Sequence, residues 1–306
     1  AQHHRQDGAG ALIMAPGARK VAIITGAARG IGAGVAKGLH EAGYAVSLVG
    51  LEGDQLRQNA RALGEHAISF EADVTDRIGI GNAFEGTRER FGRIDVVVSN
   101  AGISNFDLLR TMSPEHFRRV MAVNVEGTFN AIQASLPHLI ESKGYFLGVA
   151  SIAAAGAPPG MAAYGPSKGA TENLCNTFRS EVSHLGVGVG VAYFGWLDTD
   201  LVKTGGTHKG FTFVREHLPG PLRAIAPYKI SVDAIIDGVK RRKNVVLAPG
   251  WVRIALALRW FFAGNAKGFE AHMPEIERLC AEELKARGGS ASSAMITDPA
   301  AQEIRG

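Results

Sequence analysis

The chain predicts a doubly wound α/β protein, a parallel sheet between two layers of helices, with a helical extension after the last strand. Three observations carry this. Short β-rich apolar runs alternate repeatedly with stretches of helical periodicity. The turn between the first run and the first helix contains Gly26, Gly30 and Gly32. Polar motifs recur where strands end, the edge at which such sheets hold their ligands.

Bulk properties narrow the field. The 306 residues are 46% hydrophobic and 20% charged, ordinary for a soluble protein with one sizeable core. A net charge of +4 is small and its basic residues are scattered, so nucleic-acid binding has no support. The densest basic run, Arg241, Arg242 and Lys243, reads as a solvated helix end. Cys175 and Cys280 are far apart and lack metal-ligand spacing, which fits a reduced, cytoplasmic compartment. None of the ten histidines forms a spaced ligand set, and no metal is assigned. Residues 1–19 read as a leader or tag; Leu12, Ile13 and Met14 are too short a run for a signal-peptide core.

Val21, Ala22, Ile23 and Ile24 form the first strand and lead into Thr25-Gly26-Ala27-Ala28-Arg29-Gly30-Ile31-Gly32. A helical pattern follows through Val35, Leu39 and Ala42. Strand, glycine turn and helix are the context a dinucleotide loop needs. Gly26 permits the tight turn, Gly30 lets backbone approach a pyrophosphate, and Gly32 allows close helix packing. A strand at 45–49, a helix at 54–63 and a strand at 67–70 come next, ending at Asp73 and Val74. Thr75 or Asp76 caps a helix running to about Phe91. The strand at 94–99 ends in Asn100, Ala101 and Gly102. Ser113 as N-cap and Pro114 at the first helical position begin another helix, which carries Asn124 within an apolar pattern. A strand at 145–150 delivers Ser151, a helix bearing Tyr164 and Lys168 runs to about Leu185, and strands follow at 187–193 and 245–247. The result is a Rossmann-like, three-layer arrangement whose motifs meet at one sheet edge.

Within the helix after Ser151, the i,i+4 spacing of Tyr164 and Lys168 puts both side chains on one face. An ammonium beside a phenol favours the phenolate and lowers its pKa. A solvated lysine beside a half-buried tyrosine satisfies the same spacing, so the pentad alone leaves both readings open.

Taken together and in order, the glycine turn, Asp73-Val74, Asn100-Ala101-Gly102, Asn124, Ser151 and Tyr164-x-x-x-Lys168 make residues 20–250 resemble the compact branch of the short-chain dehydrogenase/reductase family. The resemblance implies an NAD(P)-dependent oxidoreductase working by hydride transfer, with Asn124, Ser151, Tyr164 and Lys168 as its catalytic tetrad. It implies Tyr164 as general acid/base and Ser151 as a hydrogen-bond donor to the substrate oxygen. Lys168 would tune Tyr164 and hold the nicotinamide ribose, and Asn124 would hold a water relaying protons from Lys168. An amide satisfying a helix kink is a second reading of Asn124. Cofactor contacts are implied at Gly26, Ala28, Arg29, Gly30, Ile31, Gly32, Gly50, Leu51, Asp73, Val74, Asn100, Ala101, Gly102, Gly195, Leu197 and Thr199. The chain departs from the family pattern at Phe194, where a proline is usual. Neither Gly50 nor Leu51 carries the charge that selects a cofactor, while Arg29 is placed to reach a 2′-phosphate and Glu52 to reach a ribose. NADP is therefore expected over NAD.

Ala153, Met161, Phe194 and Trp196 give the substrate side apolar walls, with a 199–231 insertion that reads either as a lid or as a packed surface loop. A lipophilic secondary alcohol or ketone follows. The alternatives are a 3-oxoacyl-thioester reductase and a non-catalytic dinucleotide-sensing scaffold. Residues 251–287 form the helical extension; 251–263 is apolar nearly all round, to be buried against this chain or a second subunit, or laid on a membrane surface. The resemblance implies a homodimer or homotetramer. Residues 288–306 read as a flexible tail.

Overall fold

Strand register is decided by side-chain alternation on two buried faces. In the computed structural model, which describes residues 19–156, 158–260 and 266–286, seven parallel strands run in the order β3-β2-β1-β4-β5-β6-β7. They are β1 Val21–Thr25, β2 Ala45–Gly50, β3 Ala67–Glu71, β4 Val96–Ser99, β5 Tyr145–Val149, β6 Gly188–Phe194 and β7 Val245–Ala248. Ile23, Val97 and Phe146 point into one core with Phe84, Val120 and Phe178, whereas Ala22, Ile24, Tyr145 and Leu147 point into the other with Val35, Leu39 and Ile235. A one-residue slip would exchange the two sets, so the pattern pins the register. The leader expected at 1–19 falls, apart from Arg19, outside the described residues, as does the tail at 288–306.

The helices are α1 Gly30–Glu41, α2 Gly53–Leu63, α3 Arg77–Phe91, α4 Pro114–Met121, α5 Gly127–Ser142, α6 Tyr164–Val182, α7 Asp200–Gly206, α8 Lys209–Glu216, α9 Lys229–Arg241, α10 Val252–Ala257 and α11 Met273–Ala286. Asp76 caps α3 by accepting from the Ile78 N–H, and Ser113 caps α4 ahead of Pro114. Glycine on α1 brings α9 close: a Cβ on Gly38 would meet Ile236 at 2.2 Å. The basic run closes α9, where Arg242 in the left-handed region donates to the Lys143 and Gly186 carbonyls.

Two expectations change here. The 199–231 insertion is helical, with Val202, Phe211 and Val214 buried. The apolar stretch of the extension is buried on one side only: α10 spans six residues and buries Val252 and Ala255, while the apolar Ile254, Leu258 and Trp260 face outward. The physical reason is geometric, since a short helix laid on the sheet edge turns only one face to β7. The segment 261–265 lies outside the described residues. Among the described residues, no helix is long and apolar enough to cross a membrane.

Candidate active site

The glycine turn between β1 and α1 is bolted to the neighbouring strand. Thr25 Oγ1 accepts from the Asn100 and Ala101 N–H groups at 3.0 and 3.1 Å, and Asn100 Nδ2 donates back to the Thr25 carbonyl at 3.0 Å. Gly26 (φ 64°) and Gly30 (φ 56°) occupy the left-handed region that favours glycine. A Cβ on Gly32 would lie 2.1 Å from the Gly26 carbonyl oxygen, so only glycine lets α1 sit this close. The first turn of α1 carries no side-chain cap and no acid. Its orphan N–H groups therefore suit a phosphate, which is the fit a dinucleotide requires. Arg29 pairs with Glu52 at 3.1 Å, so the two residues that bear oppositely on cofactor choice hold each other. Asp73 accepts from the Thr75 N–H at 2.9 Å and pairs with Arg119 at 3.2 Å. Partial burial opposes its ionisation, but those bonds prevail and hold its pKa below the usual carboxylate value.

Opposite the glycine turn, Ser151 follows two residues after the end of β5, and α6 opens on Tyr164 with Pro166 in its first turn. The Tyr164 and Ser151 side chains line the same cavity, and Ser151 acts on the phenol. Lys168 is buried and donates to the Val149 carbonyl at 2.9 Å, with Nζ 5.7 Å from the centre of the Tyr164 ring. Burial lowers the Lys168 pKa to about 8. The phenol of Tyr164 is likewise pushed up by burial, against a smaller opposing effect from Ser151. For both groups desolvation by burial is the largest effect.

Asn124 sits in a π-helical turn, Ala122–Glu126, between α4 and α5. Its Oδ1 accepts from the Ile103 N–H at 2.8 Å, and its Nδ2 donates to the Ile103 carbonyl and to Ser167 Oγ, both at 2.9 Å. The amide thus fastens the loop after β4 to the helix bearing Tyr164 and Lys168. A Cβ on Gly102 would stand 3.1 Å from both Asn124 Oδ1 and Lys168 Nζ, so a larger residue there would crowd the pair.

These groups open onto one cavity of about 1160 Å³. Gly26, Ala28, Arg29, Gly30, Ile31, Gly50, Leu51, Asp73, Val74, Asn100, Ala101 and Gly102 line one part of it. Ser151, Tyr164, Lys168, Gly195, Leu197, Thr199, Ala153, Met161, Phe194 and Trp196 line the rest. Gly32 and Asn124 do not line it and act from behind. Phe194 ends β6 fully packed, and a Cβ on Gly195 would strike Trp251 at 2.8 Å, so the first residue of the extension braces this loop. Cys175 is buried against β5 with its thiol pushed up to about 12, unsuited to act as a nucleophile.

Sequence reasoning missed Arg119, whose helical position gave no sign of its approach to Asp73, and His217, Phe269, Glu270 and Met273, which also line the cavity. A polar helix with a few apolar residues before it carries no local signal of a ligand. Only packing of the extension on α8 reveals it.

Comparison with known proteins gives a consistent picture. The family model described as short chain dehydrogenase matches residues 20–210. The chain is 35% identical over 192 residues to 2-(R)-hydroxypropyl-CoM dehydrogenase of Xanthobacter autotrophicus, covering 60% of this chain and 77% of that one. It is 30% identical over 249 residues to human 3-hydroxyacyl-CoA dehydrogenase type-2, covering 76% of this chain and 95% of the other. Among solved structures, an alcohol dehydrogenase from the archaeon Thermococcus sibiricus, complexed with 5-hydroxy-NADP, superposes with a TM-score of 0.62 at 29% identity, over 72% of this chain and 91% of that one.

Proposed function

The chain belongs to the short-chain dehydrogenase family, and on that premise we propose that it interconverts a lipophilic secondary alcohol and its ketone with NADP, or less readily NAD, as redox partner. The observation that carries this is the single cavity joining the phosphate-ready glycine turn, the Ser151–Tyr164–Lys168 group and apolar walls. When bound, the nicotinamide cofactor supplies or accepts the hydride. Tyr164 passes its phenolic proton to the substrate oxygen in reduction and recovers it in oxidation. Ser151, in the same cavity as Tyr164, offers its hydroxyl to the oxygen on which charge develops. Lys168 binds ribose hydroxyls and, when charged, favours the phenolate. Asn124 keeps Ile103 and Ser167 in place around them, and a water held there links Lys168 to solvent. The glycine turn and the first turn of α1 bind the pyrophosphate, Asp73, Val74 and Asn100 the adenosine side, and Gly195, Leu197 and Thr199 the carboxamide.

The preference for NADP rests on Arg29 and is supported by the NADP analogue in the archaeal alcohol dehydrogenase. Titrating NADPH and NADH tests it; tighter NADH binding would assign the ribose to Glu52. Following nicotinamide absorbance with a panel of lipophilic ketones and alcohols tests the reaction, and absence of turnover with every member would overturn it. The similarity to a hydroxyacyl-CoA dehydrogenase favours thioester reduction as a second reading. Acetoacetyl-CoA turning over faster than the neutral ketones would select it. For assembly we propose a homodimer or homotetramer, with the outward face of Ile254, Leu258 and Trp260 covered by a second copy. Light scattering checks the size, and vesicle binding by a monomer would favour a membrane surface instead.

A further inference from the structure

We propose that residues 268–273 of the extension form the outer wall of the substrate pocket and confine it to neutral lipophilic ketones and alcohols, excluding those with a carboxylate or phosphate; this rests on the oxidoreductase reading above. The family match ends at residue 210, so this wall lies beyond the shared core. Phe269 and Met273 line the same cavity as Tyr164 and Trp196, and all four side chains pack on one apolar cluster of Phe106, Leu108, Met161, Phe211, Val214 and Ile276. The ring that would handle the proton and the wall that would receive the substrate tail are therefore built on a common support.

The extension is seated firmly there. Ile276 of α11 is fully buried, Arg110 pairs with Glu277 at 2.8 Å, and the N–H of Lys209 donates to Glu283 at 3.2 Å. His272 stands edge-on to Phe213 of α8, and tilted against His217 with ring centres 4.5 Å apart. The His272 and Glu283 contacts tie the C-terminal end of 268–273, and α11 after it, to the insertion between β6 and α9.

Charge separates the two parts of the cavity. Among the described residues its lysine and arginine lining side chains are Arg29, Arg119 and Lys168, and Arg29 and Arg119 sit by Glu52 and Asp73 on the dinucleotide side. Beyond the catalytic group, the lining carboxylates are Asp200 and Glu270, and the imidazole of His217 is held with Nδ1 2.8 Å from the Phe213 carbonyl. A substrate carboxylate lodged between Phe269 and Met273 would leave water without gaining a lysine or arginine partner. A neutral alkyl tail loses nothing there and gains apolar contact.

The test uses the full chain saturated with NADPH and three probes: 2-decanone, 9-oxodecanoate and 2-butanone. The first two share a methyl ketone and chain length but differ in the charge at the far end. Calorimetry reads binding and nicotinamide absorbance reads turnover. Binding and kcat/KM are expected to favour 2-decanone over 9-oxodecanoate by at least ~10-fold. In the double variant Phe269→Ala, Met273→Ala, the preference for 2-decanone over 2-butanone is expected to fall by about 10-fold, with an unchanged Kd for NADPH. Phe269→Leu should retain most of that preference. Equal acceptance of the carboxylate, an unchanged 2-decanone to 2-butanone ratio in the double variant, or no ketone binding would overturn the wall. Wall-dependent binding of 2-decanone with no turnover of any probe would refute the oxidoreductase reading and leave the wall standing.

Discussion

Lys168 is an amine held out of water, and its ammonium donates to the Val149 carbonyl. Burial brings its pKa from 10.5 to about 8. Below pH 8 the lysine is charged in both folded and unfolded chains, and the folded state bears the whole desolvation cost, on the order of 3 kcal/mol. As pH rises from 8 towards 10.5 the unfolded chain binds more protons than the folded one, so this cost disappears and stability rises. Lys168→Met should therefore increase Tm relative to the unsubstituted protein at pH 7, with the difference narrowing by pH 9. Thermal unfolding of cofactor-free protein at both pH values measures it; a difference independent of pH would show that Lys168 titrates normally. At Tyr164 the expected effect is catalytic. Tyr164→Phe removes the proton donor and almost no volume, so turnover should fall about 10²–10⁴-fold while NADPH affinity is retained. Turnover close to that of the unsubstituted protein would falsify the general acid assignment.

At the scale of elements, the turn from β1 to α1 contains two glycines with different reasons to be glycine. Gly32 needs space, because its Cβ would meet the Gly26 carbonyl at 2.1 Å and the Asn100 amide at 2.7 Å. Gly30 needs only its backbone angle, φ 56°, and nothing lies within 4 Å of a Cβ built there. Gly32→Ala should thus push α1 off the loop, costing about 1–3 kcal/mol of stability and at least ~10-fold in cofactor affinity. Gly30→Ala should cost about 1–2 kcal/mol through strain alone. Thermal unfolding and cofactor titration of the two variants distinguish space from strain. If Gly32→Ala binds NADPH as tightly as the unsubstituted chain, the close packing of α1 is not what positions the phosphate.

For the whole molecule, the question is how the extension is held across the sheet edge. Arg259 reaches Glu172 on α6 at 2.8 Å, and Glu172 also adds to the effect of burial in raising the Tyr193 phenol on β6. Glu172 is only 12% exposed, so its carboxylate depends on its partner, while the 40% exposure of Arg259 limits the value of the pair. Arg259→Ala is expected to cost about 1–2 kcal/mol, a Tm decrease of a few degrees. Adding Glu172→Gln should recover part of the loss by removing the unpaired carboxylate. Absence of recovery would mean that Arg259 acts by packing rather than charge.

The order of strands and helices, the glycine turn and the residues around Ser151, Tyr164 and Lys168 were legible in the sequence. In a parallel doubly wound sheet, the end of a strand in the chain is also a place in space, so Gly26, Asp73, Asn100, Ser151 and Gly195 converge without further information. Local patterns sufficed because each motif sits at a boundary marked by glycine, proline or a capping residue. Tertiary structure alone decided the rest. Arg29 could be assigned to a phosphate from its position, but its pairing with Glu52 depends on how two loops meet. Asn124 was readable as a kink amide or a relay, and only the approach of the loop after β4 and of α6 gave its side chain Ile103 and Ser167. The pKa of Tyr164 follows from burial rather than from its i,i+4 spacing to Lys168, and burial belongs to the folded whole. Phe269 and Met273 enter the cavity because α11 packs on α8, a contact between helices that no strand ladder indexes and no local period announces.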